Sequence, residues 1–127
     1  MKKEDYVSLE CAKLLREKEF NEYCGAYYHL NWDDMTEEEC FEVAPNYDFR
    51  NKDNVYRVAA PTLYEAQKWL RGRGYYVEVG IYEKYVWAFV VYGYDDECCL
   101  SMVFSEKRYN TYEEALNAGI IEALKLI

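Results

Sequence analysis

The sequence predicts a single α+β domain: an antiparallel three-stranded meander flanked by helices (helix–strand–strand–strand–helix), preceded by an N-terminal helix and additional short strands. Three observations lead there. Thr62-x-x-Glu65 and Thr111-x-x-Glu114 are capping boxes, each followed by apolar residues at helical spacing. Between those helices lie three runs rich in β-branched and aromatic residues, Tyr75–Tyr82, Tyr85–Tyr92 and Cys98–Phe104. A length of 127 residues, 51% of them hydrophobic and only two of them proline, suits one packed domain over residues 1–127.

In chain order, Ser8 is the expected N-cap of a helix over Leu9–Glu19, with Val7 placed to staple onto Ala12. Cys11, Leu14 and Leu15 form its apolar stripe, and no glycine marks its end near Phe20. From Asn21 to Ala60 the pattern is weaker. Tyr23–Leu30 and Val55–Ala59 read as strands, Asn46–Asn54 as a loop, and Thr36–Phe41 as a short helix or a solvated turn. After Pro61, the helix starting at Thr62 places Leu63, Ala66, Trp69 and Leu70 on one face and stops at Gly72 and Gly74. The last helix aligns Ala115, Leu116, Gly119, Ile120, Ala123, Leu124 and Ile127.

Glu83-Lys84 separates the first two strands of the meander, and a turn there pairs Ile81 with Val86. In that register Val77, Val79, Ile81, Val86, Ala88 and Val90 share a face suited to helix packing. Tyr76, Glu78, Gly80, Tyr82, Tyr85, Trp87, Phe89 and Val91 share the other; a three-residue loop shifts the pairing. A sheet with two apolar faces needs two covers. The helices from Thr62 and Thr111 supply one, and the N-terminal half or a partner supplies the other.

The net charge is −9, and Asn31–Glu42 contributes −6 of it through Asp33, Asp34, Glu37, Glu38, Glu39 and Glu42. A field of this sign repels phosphate backbones, so direct nucleic-acid binding is not expected. Lys68, Arg71 and Arg73 form the densest basic cluster, at a helix end where cations meet the negative pole of the dipole. The longest apolar run, Tyr85–Tyr92, is far short of the roughly 20 residues of a membrane span, and charges stand where a signal peptide carries its apolar core. Cysteines at 11, 24, 40, 98 and 99 are odd in number, lack C-x-x-C spacing and include an adjacent pair. That pattern fits reduced thiols in a cytoplasm rather than a disulfide framework or a zinc site.

Catalytic signatures are absent from the sequence. His29 is the only histidine, and there is no nucleophile elbow, Walker loop, G-x-G-x-x-G or H-E-x-x-H. Asp33-Asp34 and Asp95-Asp96-Glu97 lack the alternating ligands of a calcium loop. The expectation is a non-enzyme with no metal and no cofactor. Fifteen tyrosines point instead to a binding surface, because tyrosine joins a rigid ring to a polar tip. Its expected seat is Tyr82, Tyr85, Trp87 and Phe89, where aromatics crowd one hairpin end. A second candidate is Asp33, Asp34, Glu37, Glu38 and Glu39, interleaved with Trp32, Met35 and Phe41, as a docking element for a basic protein surface.

Three stretches carry a resemblance: Tyr6-Val-Ser-Leu-Glu-Cys-Ala-Lys-Leu-Leu-Arg16, Ala60-Pro-Thr-Leu-Tyr-Glu-Ala-Gln-Lys-Trp-Leu-Arg71, and the closing helix Tyr112–Ile127. Together they resemble small, functionally uncharacterised proteins of phages and mobile elements of gut bacteria. The resemblance implies a cytoplasmic accessory protein of a mobile element and transfers no active site. The order of the C-terminal elements also resembles that of double-stranded RNA-binding domains, but Glu113 and Glu114 stand where those domains present basic residues, which excludes that function. The expected function is therefore a non-catalytic interaction protein that binds a host protein through its acidic segment and aromatic surface. The alternative is a binder of a small ligand, a nucleotide or a sugar, stacked on the aromatic hairpin. A homo-oligomer is compatible with either, since a second copy can cover the remaining sheet face.

Overall fold

The computed structural model describes residues 2–44, 49–53, 55–94, 97 and 100–127. The chain is α+β and divides into two compact units, Met1–Thr62 and Leu63–Ile127, each built on its own three-stranded antiparallel sheet. The expected meander is thus one of two sheets, with four α-helices among the described residues. No described helix is long and apolar enough to cross a membrane.

The first unit contains α1 (Leu9–Glu17), β1 (Ala26–His29), α2 (Glu37–Cys40), β2 (Phe41–Val43) and β3 (Arg57–Ala59). Ser8 caps α1 as its sequence position implies, its Oγ accepting the Cys11 N–H at 3.2 Å. The helix ends two residues earlier than expected, in a Schellman turn: the N–H of Phe20 donates to the carbonyl of Leu15 and that of Glu19 to Arg16. Glu19, at φ 69°, takes the left-handed position a glycine usually fills.

The sheet order is β2-β1-β3, with Tyr28 opposite both Phe41 and Val58. Val7, Ala12, Leu15, Phe20, Tyr28, Phe49 and Val58 form its fully buried centre. The Tyr28 hydroxyl donates to the Val7 carbonyl at 2.7 Å, so the largest buried polar side chain is satisfied. Asn51 ties the irregular chain to the sheet, its Nδ2 donating to the Phe20 carbonyl and its Oδ1 accepting the Ala59 N–H, each at 2.8 Å. The strands are shorter than the runs Tyr23–Leu30 and Val55–Ala59 suggest; of the expected loop Asn46–Asn54, residues 46–48 and 54 lie outside the described residues, and Asn51–Asp53 form a 3-10 turn.

The second unit contains α3 (Leu63–Arg71), β4 (Tyr75–Glu83), β5 (Val86–Tyr94), β6 (Leu100–Phe104) and α4 (Tyr112–Leu124). Helix α3 starts directly after Thr62 and gives way at Gly72 to a left-handed Gly74, φ 85°, as the glycine pair implies. Thr111 caps α4 by accepting the Glu114 N–H at 3.1 Å. The sheet order is β4-β5-β6, a meander, and α3 and α4 pack on one face of it. The third strand begins at Leu100; Cys98 and Cys99, which the sequence places at its start, lie outside the described residues.

Candidate functional site

The register of the β4–β5 hairpin decides which side chains are available for binding. Ile81 pairs with Trp87, not with Val86, and Glu83 pairs with Val86 across a bulge between Ile81 and Glu83. Tyr85 adopts φ 66° in the turn. One extra residue on β4 slides β5 by one position, which turns every β5 side chain to the opposite face from that of the Ile81–Val86 register. Val77, Val79 and Ile81 consequently share a face with Val91, Phe89 and Trp87.

Helix packing explains this choice. Gly119 of α4 lies so close to the sheet that an added Cβ would stand 2.6 Å from Val77 Cγ1 and 3.1 Å from the Phe89 ring. The glycine forms the notch that receives the Phe89 ring, and Phe89 and Val91 are buried there. Placing Val86, Ala88 and Val90 on the helix face, as expected from the simpler turn, would leave that notch underfilled.

The four aromatic residues singled out in the sequence therefore divide. Tyr82 and Tyr85 are exposed at the hairpin tip, where the Arg108 guanidinium lies 4.0 Å from the Tyr82 ring centre and the Lys84 ammonium 5.1 Å from that of Tyr85. Trp87 is half-buried, edge-on to Tyr112 with ring centres 5.5 Å apart, and its backbone exchanges hydrogen bonds with Tyr109. Phe89 belongs to the core. As a surface cluster the four do not form; two of them are packing residues.

The opposite face of the same sheet is open. Cross-strand pairing sets Tyr76 beside Tyr92, Val90 beside Phe104, Tyr92 beside Met102, and Tyr94 beside Leu100. Four of these remain largely exposed, Phe104 at 63%, Tyr94 at 51%, Leu100 at 47% and Met102 at 45%. Tyr76, Glu78, Tyr92 and Tyr94 line a shallow depression of about 390 Å³. Tyr76 and Tyr94 meet edge to face there at 6.1 Å, with Glu78 the one carboxylate among the described residues of the lining. Of this surface, the sequence reading placed Tyr76 on the aromatic face and missed Tyr92 and Tyr94; the signal available was the choice between a two- and a three-residue turn.

The acidic segment divides as well. Glu37 accepts the Lys3 ammonium at 2.6 Å and the Leu9 N–H at 3.3 Å, pinning the start of α1. Glu39 closes a capping box with Thr36, whose Oγ1 accepts the Glu39 N–H at 3.2 Å. The Glu42 carboxylate lies 2.6 Å from His29 Nε2, and His29 stacks flat on Trp32 with ring centres 4.0 Å apart. That hydrogen bond, with one from Tyr27, holds the Glu42 carboxyl below the usual range. Asp33, Asp34 and Glu38 stay exposed beside Trp32 and Met35.

Cys11, Cys24 and Cys40 are buried thiols, and burial pushes that of Cys11 far upward, which makes it a packing group rather than a nucleophile. Among the described residues no three His, Cys, Asp or Glu side chains gather in a way that would hold a metal ion; Asp95 and Asp96 lie outside them. No protein-family model, curated protein or solved structure matches the chain.

Proposed function

We propose that the chain is a non-catalytic interaction protein, an accessory protein of phage or mobile-element origin, that docks a host protein on the open face of the β4-β5-β6 sheet. The observation that carries this reading is the exposed, contiguous apolar surface of Tyr76, Tyr94, Leu100, Met102 and Phe104. A surface of this kind is costly to leave in water, and its tyrosines give it the composition of an interface centre. The partner it fits presents an apolar patch. The exposed carboxylates Asp33, Asp34 and Glu38 supply a field that favours a basic partner and speeds its approach.

The test is capture of a stoichiometric host protein by the full chain, followed by variants. Y76D and Y94D together should abolish capture, because they place two charges on the docking surface. Reversing Asp33, Asp34 and Glu38 to lysine should slow association and weaken its salt dependence without removing the complex. Unchanged capture by the Y76D/Y94D chain would refute the reading. Glu37 and Glu39 are left intact in this design, since both hold the local fold.

A second reading rests on the depression between Tyr76, Glu78, Tyr92 and Tyr94. The phenol rings and the Glu78 carboxylate suit a neutral sugar or nucleoside held by stacking and a charge-assisted hydrogen bond, and they disfavour a phosphate. A thermal shift with neutral saccharides or nucleosides that vanishes in E78Q would favour this reading over the first.

A further inference from the structure

The two edges of the β4-β5-β6 sheet are not alike. On β4, the Gln67 side chain donates to the Val77 carbonyl at 2.8 Å, Glu78 and Glu83 add charge, and the bulge after Ile81 distorts the strand. These are the devices by which proteins guard an edge against further pairing. The edge strand β6, Leu-Ser-Met-Val-Phe, has no charge, no proline and no bulge in its pairing with β5.

Its backbone polarity follows from one hydrogen bond. The Ser105 N–H donates to the Phe89 carbonyl, so alternation directs Val103 and Ser101 toward β5 and turns the N–H and C=O groups of Phe104, Met102 and Leu100 outward. Those same three residues have exposed side chains on the open face. Val90 and Tyr92, flanked by strands on both sides, are only half-exposed. Among the described residues, no strand pairs with the outer edge of β6.

We infer that the outer edge of β6 pairs with β6 of a second copy, antiparallel and centred on Met102, to form a continuous six-stranded sheet. The strand is self-complementary in this register. Leu100 faces Phe104 of the second copy, Ser101 faces Val103 and Met102 faces its own counterpart, so all three outward residues exchange backbone hydrogen bonds and apolar side chains meet on the open face. A two-fold axis normal to the sheet keeps both open faces on one side, so the dimer leaves the proposed docking surface accessible and stands or falls separately from it.

Sedimentation equilibrium of the full chain should show reversible association from 15.2 kDa to twice that mass. M102P removes an outward N–H that the intrachain ladder does not use, and M102K sets like charges face to face on the axis. Each should weaken the dimer roughly tenfold or more while leaving far-UV circular dichroism unchanged. M102C should form a covalent dimer on mild oxidation beyond the level of the unmodified chain, since hydrogen-bonded antiparallel partners stand about 5.5 Å apart. Y94D, on the open face and away from the edge, should retain the dimer. A chain that stays monomeric up to millimolar concentration overturns the inference. So does a dimer that survives M102K but dissociates in Y94D, which would be packed face to face.

Discussion

Glu19 and Tyr85 hold left-handed backbone, at φ 69° and 66°, without being glycine. Such a conformation costs an L-residue roughly 1 kcal/mol relative to glycine. At Glu19 the side chain is not needed for the turn, whose two hydrogen bonds come from backbone groups. E19G is therefore expected to stabilise the protein by about 1 kcal/mol, visible as a rise in Tm of about 3–5 °C, whereas E19A brings almost none of that gain. His29 and Glu42 offer a second check at this scale. A carboxyl whose pKa is lowered on folding stabilises the native state above its ordinary value of 4.5, and the contribution is lost as the pH falls through the folded value. Denaturant midpoints of the E42Q variant should thus decline less steeply than those of the unmodified chain below about pH 4.5. The pair is partly exposed, so the neutral-pH difference should be small.

The α4–sheet contact is where one element dictates the register of others. Gly119 is ordinarily a poor helix residue, yet an alanine there drives its methyl to 2.6 Å from Val77. The gain in helix propensity, about 1 kcal/mol, is outweighed by overpacking, and G119A is expected to lose about 1–2 kcal/mol net in a urea titration. The starts of α1, α3 and α4 and the glycine stop of α3 were legible in advance because their determinants are local, whereas the ends of α1 and α4 came earlier than expected. Ser8 and Thr111 cap through hydrogen bonds three residues away, and Gly74 supplies the left-handed turn after α3. Thr36–Phe41 was open between a short helix and a turn, and the structure makes it the helix Glu37–Cys40 with a capping box between Thr36 and Glu39. The face assignment of β5 was not. Val86 to Tyr92 is apolar at both parities, so a shift of one residue exchanges two sets of nearly equal hydrophobicity.

At the scale of the whole molecule, the charge of −9 is the dominant long-range property. A labelled DNA duplex should show no mobility shift with the full chain even at low ionic strength, where any phosphate-binding face would be most evident. The sequence by itself determined the starts of α1, α3 and α4, the glycine stop of α3, the α+β class and the concentration of negative charge in Asn31–Glu42, because caps, periodicity and charge are properties of neighbouring residues. Tertiary structure alone decided that the expected meander is one of two sheets, that Phe89 is core while Tyr92 and Tyr94 are surface, and that Glu37 is structural. The physical reason is common to all three. Each depends on which distant group fills a space or meets a charge, the Gly119 notch for Phe89 and the Lys3 ammonium for Glu37, and a strand apolar on both faces carries no local mark of which face will be covered.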